Sequence, residues 1–174
     1  QTSNNFKWLI IDDGSTDGTK EIVDTWRSEN KIEIEYFWQE NQGMHGAHNT
    51  AYEHITTELN VCIDSDDYMP MDAVEKIVTF WKEHGSQKVS GIVGLDLFTN
   101  GQIIGTPLPK EYKTSTLFNL YNKHGVKGDK KLVYRTELTK RYPYPIFTGE
   151  KYVGLAYKYY KLDQDYELLI MNEA

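Results

Sequence analysis

The chain has 174 residues, a length that fits one domain with a sizeable core. Its net charge of −7 argues against binding to nucleic acid, which needs a basic face, and its single cysteine excludes an internal disulfide and a cysteine-based zinc cluster. No apolar stretch approaches the ~20 residues that span a bilayer, so we expect a soluble protein of a reducing compartment. Cys62 lies in an apolar run and is expected to be a small buried hydrophobe.

The first half of the chain predicts strands that alternate with helices. The apolar run that ends at Ile11 is typical of a central strand covered on both faces, and a cluster of turn-forming residues follows it. Repeated strand–helix alternation favours a parallel sheet. The elements predicted in this half are strands at 6–11, 32–38 and 59–63, and helices ending near Ser28, at 47–55 and before Gly85.

The pattern changes after residue 88. Asn100-Gly101 predicts a hairpin turn, and the apolar runs become shorter. The elements predicted here are strands at 89–98, 132–134 and 166–171, and helices near 115–123, 136–140 and 152–162. We therefore expect one α/β domain over residues 1–174, with a mostly parallel central sheet and a smaller mixed second half that begins at residue 89.

Two acidic clusters follow predicted strands of the first half. Asp12-Asp13 ends the first strand, and Asp64-Ser65-Asp66-Asp67 ends the third. Because ligands bind outside the carboxyl ends of parallel strands, we expect the two clusters to lie close together. Hard divalent cations prefer oxygen ligands and keep positions open for substrate phosphates, which favours a metal–phosphate site at Asp64 and Asp66. The simpler interpretation of either cluster alone is an acidic, solvated turn.

A third candidate stretch, Asn41–Asn49, lies between those strand ends. Its small residues allow the backbone to approach a ligand closely. His45 and His48 stand on the side that is expected to face the site, where they could donate to phosphate. The competing interpretation is a surface loop whose histidines cap the following helix.

These three stretches together resemble the family 2 glycosyltransferases. The resemblance covers roughly residues 6–84 and is carried by Trp8–Thr19, by Asn41-Gln42-Gly43 with Ala47 and Asn49, and by Cys62–Asp67. It implies a GT-A fold, a nucleoside-diphosphate-sugar donor (a UDP-sugar) and a divalent metal, Mn²⁺ or Mg²⁺. It also implies an inverting transfer to a hydroxyl of a saccharide or lipid-linked saccharide acceptor, in the assembly of bacterial surface polysaccharide.

The resemblance further implies roles for individual residues. Asp64 and Asp66 would form the Asp-x-Asp motif, with Asp66 as the direct metal ligand. The family has an Arg at the position of His48, so phosphate contact there is expected to depend on pH. The residues implied for binding of the nucleotide sugar are Asp12, Asp13, Asn41, Gly43, His48, Asn49, Asp64 and Ser65.

The family's catalytic base usually lies in a Glu-Asp pair at the start of a helix. Glu150 matches the first member, but Lys151 stands in place of the Asp, and an ammonium group cannot take the acceptor's proton. Glu150 is therefore the candidate base, at a predicted helix N-terminus; the alternative is that it only caps that helix. Asp163 and Asp165 are a weaker alternative and fit a solvated turn.

Two other functions stay open. A domain that binds a nucleotide sugar without transferring it is favoured by Lys151, and by the family's usual first strand and helix, which we expect to be missing before Gln1. A haloacid-dehalogenase-like phosphatase also has Asp-x-Asp after an apolar strand, but it needs Thr or Val where Tyr68 stands and gives Asp12-Asp13 no role. We expect the full-length protein in the cytoplasm, at the inner face of the cell membrane.

Overall fold

A computed structural model describes residues 1–174. The strands are β1 (Trp8–Asp12), β2 (Ile34–Trp38), β3 (Leu59–Val61), β4 (Val89–Leu95), β5 (Thr114–Ser115), β6 (Lys130–Arg135) and β7 (Glu167–Ile170). The helices are α1 (Thr19–Ser28), α2 (Met44–His54), α3 (Ala73–His84), α4 (Leu117–Asn122), α5 (Thr136–Arg141) and α6 (Ala156–Leu162). No helix is both long enough and apolar enough to cross a membrane.

The strands form two sheets. β1 and β2 pair in parallel, and the other five strands have the order β3-β6-β4-β7-β5. In the larger sheet β4 and β7 are parallel neighbours, whereas the β3–β6, β6–β4 and β7–β5 pairs are antiparallel. The predicted α/β class is confirmed, but the large sheet is mixed rather than mostly parallel, because β6 returns from the second half and inserts between β3 and β4. Since both of these strands are antiparallel to β6, the carboxyl ends of β3, β4 and β7 share one edge.

The core lies on both faces of the large sheet. Ile92 and Val93 are adjacent in β4 and belong to different buried clusters, as do Leu168 and Leu169 in β7, because successive strand residues point to opposite faces. One cluster packs against α4, α5 and α6, and the other packs against Trp81 of α3. The division into two functional halves stays a prediction.

β1 is less buried than its apolar sequence predicts. Its only sheet neighbour is β2, so the run expected to be a covered central strand is a strand with one unpaired edge. Trp8 remains 42% exposed and stacks on Trp26 of α1, with the ring centroids 5.3 Å apart. The small sheet is joined to the rest of the molecule through α2, which packs on β1 and on α5. The Thr2 amide also donates to the Met71 carbonyl, at 2.7 Å.

In the second half one prediction is confirmed, and the predicted start of a helix is wrong. The Asn100-Gly101 hairpin is confirmed by an antiparallel bridge between Leu97 and Ile103. The helix predicted from residue 152 instead begins at Ala156, and residues 148–155 form a loop. We call this segment, residues 148–155, the Glu150 loop.

Candidate functional site

Asp12 is buried at the end of β1, and hydrogen bonds occupy both of its carboxylate oxygens. It is 4% exposed; Oδ1 accepts from the Ser15 amide at 2.7 Å, and Oδ2 accepts from the Tyr36 hydroxyl at 2.5 Å. Burial alone would raise the pKa of Asp12, but these hydrogen bonds outweigh it and hold the pKa below its ordinary value. Burial and the Asp12 carboxylate raise the pKa of Tyr36 to about 12. Asp12 therefore fixes the turn after β1, and its contact with a nucleotide stays a prediction.

Asp13 holds a second loop against the end of β1. Its Oδ1 accepts from the Gln39 side chain at 2.6 Å and from the Gln42 amide at 2.9 Å. The Asn41 side chain donates to the Asp13 carbonyl at 3.0 Å. The structure gives Oδ2 of Asp13 no hydrogen-bond partner, so this oxygen can accept from a ligand. We call residues 39–43 the donor loop.

The donor loop touches the Glu150 loop directly. The Lys151 ammonium group donates to the Asn41 carbonyl and, at 3.3 Å, to the Asn41 side-chain oxygen. Gly43 has a φ of +79°, and a Cβ there would lie 2.1 Å from the Lys151 carbonyl oxygen. Only glycine satisfies both this conformation and this close approach. Lys151, which departs from the family pattern, thus forms a bond between the two loops.

Helix α2 begins after Gly43 and places Asn49 and His48 against Tyr144. The Asn49 side chain donates to the Tyr144 carbonyl at 2.9 Å and accepts from the Tyr144 amide at 2.8 Å. The His48 ring lies 5.8 Å from the ring of Tyr52 and 5.9 Å from that of Tyr144, measured between centroids. Asn49 is therefore committed to the backbone of the second half, and its contact with a donor stays a prediction.

The protonation of His48 decides how it can meet a phosphate. Its Nδ1 lies 2.9 Å from the Met44 carbonyl oxygen, so Nδ1 carries the proton in that contact. Burial lowers the pKa of His48 below its ordinary value, although the bond to Met44 and the charge of Asp64 oppose the change. A neutral His48 presents an acceptor, Nε2, and it can donate to phosphate from Nε2 only after protonation.

His45 does not stand where the sequence predicts. Its side chain is 1% exposed, and neither ring nitrogen has a hydrogen-bond partner. It therefore neither faces an open site nor caps α2, which starts at Met44 with Gly43 as its N-cap. The reason is helical spacing: His45 lies in the first turn of α2, on the face that turns inward.

The acidic cluster after β3 forms an exposed turn. β3 ends at Val61, and the turn is closed by a hydrogen bond from the Asp67 amide to the Asp64 carbonyl at 3.0 Å. Cys62 is exposed, so its predicted burial is wrong; the strand has already ended when the chain reaches it. Its thiol pKa is nevertheless raised, by partial burial and by the charge of Asp64.

The acidic turn fits a cation that takes most of its ligands from a substrate. Asp64, Ser65 and Asp66 are exposed, and no group of three His, Cys, Asp or Glu residues forms a ready-made metal cluster. Mg²⁺ is usually bound by one or two carboxylates together with substrate phosphates. Two exposed carboxylates, Asp64 and Asp66, meet that requirement.

Glu150 lies in a loop rather than at a helix start. Its Oε1 accepts from the Tyr152 amide at 3.0 Å, while α6 begins only at Ala156, so neither helix capping nor a helix dipole acts on it. The alternative carboxylates have other partners. Asp163 accepts from the Leu117 and Phe118 amides at the start of α4, and Asp165 accepts from the Tyr142 hydroxyl at 3.2 Å.

Lys158, which was not predicted from the sequence, also lies beside the candidate site residues. This side chain of α6 is 0% exposed; its ammonium group donates to the Thr139 carbonyl at 2.9 Å and lies 3.5 Å and 4.6 Å from the ring centroids of Tyr52 and Tyr144. Burial lowers the pKa of Lys158 to about 7. A signal was available, because Leu162 follows at i+4 and the helical period puts both residues on one face.

Most of the chain matches the model of a known protein family. Residues 1–142 match the model of a family described as "Glycosyl transferase family 2". The chain belongs to this family. The phosphatase alternative finds no support in that membership.

Individual family 2 relatives are bacterial. The chain is 32% identical over 111 residues to the Bacillus subtilis protein named as the teichuronic acid biosynthesis glycosyltransferase TuaG. That alignment covers 63% of this chain and 42% of TuaG. It is 28% identical over 93 residues to the Staphylococcus aureus poly(ribitol-phosphate) β-N-acetylglucosaminyltransferase TarS. That alignment covers 51% of this chain and 16% of TarS. The chain thus spans less than half the length of these relatives.

Solved structures show the same fold. The crystal structure of S. aureus TarS 1–349 aligns with all of this chain and 50% of that one, with a TM-score of 0.74 and 24% identity. TarS 1–349 in complex with UDP aligns with a TM-score of 0.72 and 24% identity, over 97% of this chain and 49% of that one. The GT-A fold that the motifs implied is confirmed.

Replacement of Asn49 by Ala should destabilise the protein by about 1–3 kcal/mol, because the amide and carbonyl of Tyr144 both lose their partner in a half-buried place. Urea unfolding measures this change. Asn122→Ala, which removes one exposed bond to the Phe118 carbonyl, is the matched control and should cost less. Equal losses for the two variants would contradict the role given to Asn49.

The buried ammonium group of Lys158 should make stability rise with pH. Its pKa is about 7 in the folded chain and near the ordinary 10.5 in the unfolded chain. Between these values the unfolded chain binds more protons, so the free energy of unfolding should rise between pH 7 and pH 9 by up to about 1.4 kcal/mol per pH unit. Unfolding across this range should show the slope in the wild type and a smaller one in Lys158→Met; identical slopes would refute it.

Proposed function

We propose that this chain is the catalytic region of a glycosyltransferase that moves a sugar from a UDP-sugar to a hydroxyl of a saccharide or lipid-linked saccharide acceptor. The family membership supports the reaction class, and the fold shared with UDP-bound TarS supports the nucleotide. The relatives named for teichuronic acid and poly(ribitol-phosphate) support a role in bacterial surface polysaccharide assembly. We also propose that the full-length protein acts at the cytoplasmic face of the membrane. The observation that carries the proposal is the direct contact between the donor loop, held by Asp13, and the Glu150 loop.

The donor side is built from polar groups that the fold leaves free. Oδ2 of Asp13 can accept from a base N–H or a ribose hydroxyl. The donor loop leads into α2, whose first turn has no acidic residue and no side-chain cap. The free backbone amides at such a helix start favour negative charge, so they suit a diphosphate.

Asp66, with Asp64 beside it, would hold the divalent cation. When bound, the cation supplies positive charge that stabilises the diphosphate leaving group. Ser65 stands between the two carboxylates, where its hydroxyl can bind the ribose or a phosphate oxygen. The charge of Asp64 opposes the lowering of the His48 pKa by burial, and a protonated His48 would donate from Nε2 to the same diphosphate.

Glu150 would act on the acceptor side as the general base. Its carboxylate is exposed, and only Oε1 has a protein partner, so Oε2 can take the proton of the acceptor hydroxyl. The hydroxyl oxygen then forms a bond to the anomeric carbon while the bond to the diphosphate breaks. A single displacement of this kind inverts the anomeric configuration.

A second function is favoured by one observation. Lys151 replaces the family's Asp and is bonded to Asn41, so the usual second carboxylate of this position is absent. A chain of this kind could bind a nucleotide sugar without transferring it. In that case UDP would bind, but no donor would be consumed.

Asp66→Asn should lower the release of UDP from a UDP-sugar in the presence of Mn²⁺ by at least about a hundredfold, because the leaving group loses its metal ligand. A panel of UDP-sugars with a coupled UDP assay measures this. Asp67→Asn changes the neighbouring exposed carboxylate of the same turn and should stay within about threefold of the wild type. If the wild type binds UDP but produces none from any UDP-sugar, the binding-only function is favoured. Equal activity of both variants would refute the assignment of Asp66.

A further inference from the structure

Lys158 is a buried lysine without a carboxylate partner. Its ammonium group has one hydrogen bond, to the carbonyl of Thr139, which is itself 0% exposed. Thr139 lies in the last turn of α5, where helix carbonyls have no partner within the helix, so Lys158 satisfies one of them. The remaining surroundings are the faces of the Tyr52 and Tyr144 rings, whose quadrupoles attract a cation.

The two rings belong to the two sides of the candidate site. Tyr52 is in α2, one turn after His48. Tyr144 stands before the Glu150 loop: its backbone is bonded to Asn49, and its hydroxyl donates to the Leu155 carbonyl at 3.2 Å. The Tyr144 ring therefore bridges α2 and the end of the Glu150 loop, and the ammonium group lies against it.

We do not expect a lysine at this position to raise the free energy of unfolding. Removing an ammonium group from water is costly, and neither a carboxylate nor a set of hydrogen bonds compensates it at this position. Methionine has a similar length and volume and no charge to desolvate. A lysine that lowers stability relative to methionine points to a role in the reaction.

We propose that Lys158 is a positioning residue for sugar transfer, whose side chain, bonded to Thr139 and packed against the Tyr144 ring, fixes the Glu150 loop against α2. It does not touch the substrates; it acts through Tyr144. The inference rests on the proposed function, since it assigns to Lys158 the placement of the base. Helix α2 is also held by β1 and the donor loop, so we expect loss of Lys158 to affect donor binding little. The position of Glu150 should change more.

Lys158→Met is the direct variant, and Lys161→Met is the matched control, an exposed lysine of the same helix. We expect Lys158→Met to unfold at the same or a higher urea concentration, to bind UDP within about threefold of the wild type, and to lose at least about tenfold in kcat with little change in donor KM. Lys161→Met should keep the wild-type kcat. A kcat of Lys158→Met within threefold of the wild type would overturn the proposal.

Tyr52→Leu provides a second variant if Lys158→Met does not fold. It removes the nearer ring but keeps an apolar side chain, so the ammonium group loses one of its two rings. We expect a kcat loss of several fold at unchanged UDP affinity. Wild-type kcat in this variant would count against the proposal.

Hydrogen–deuterium exchange separates this inference from the proposed function. We expect residues 145–155 to exchange at least about fivefold faster in Lys158→Met than in Lys161→Met, whether or not a substrate is known. If the wild type neither binds UDP nor transfers sugar, the proposed function fails, and faster exchange still supports the tether. Unchanged exchange in this segment overturns it.

Discussion

The paired hydrogen bonds between Asn49 and the backbone of Tyr144 are the interaction on which the rest of the molecule depends. Helix α2 is the element that joins the small β1–β2 sheet to the large sheet, and Asn49 fixes the direction of that helix. A side-chain amide that both donates to and accepts from one residue sets orientation as well as distance. The donor loop at the start of α2 is therefore brought to the Glu150 loop.

This junction also contains a departure from the family pattern. Lys151 takes the place of a carboxylate, yet it bonds to Asn41 and packs its carbonyl against Gly43, so the two loops gain a contact. Lys158 lies under the same junction, where burial makes the charged form of its side chain costly and lowers its pKa. Polar contacts of Lys151 with Asn41 join these loops.

The sequence predicted the local elements and the acidic strand ends, because periodicity and turn chemistry depend on near neighbours. It could not predict that β6 inserts between β3 and β4, since such pairing depends on residues at least 35 positions apart in the chain. Trp8 is exposed because β1 lies in a separate sheet with β2 as its only neighbour, and Cys62 is exposed because β3 ends at Val61. The environment of Lys158 was not predicted because its contacts, Tyr52, Thr139 and Tyr144, lie outside its own helix and distant from it in the chain.

The proposed function requires that the ends of β1 and β3, which lie in different sheets, form one nucleotide site with the donor loop. Paramagnetic broadening by Mn²⁺ tests it most directly: Mn²⁺ is added to isotope-labelled protein with and without UDP, and amide signals are compared. We expect Mn²⁺ with UDP to broaden the amide signals of residues 64–67, of the donor loop and of residues 12–15. Broadening confined to 64–67 in the presence of UDP, or located at the opposite edge near 163–167, would contradict it.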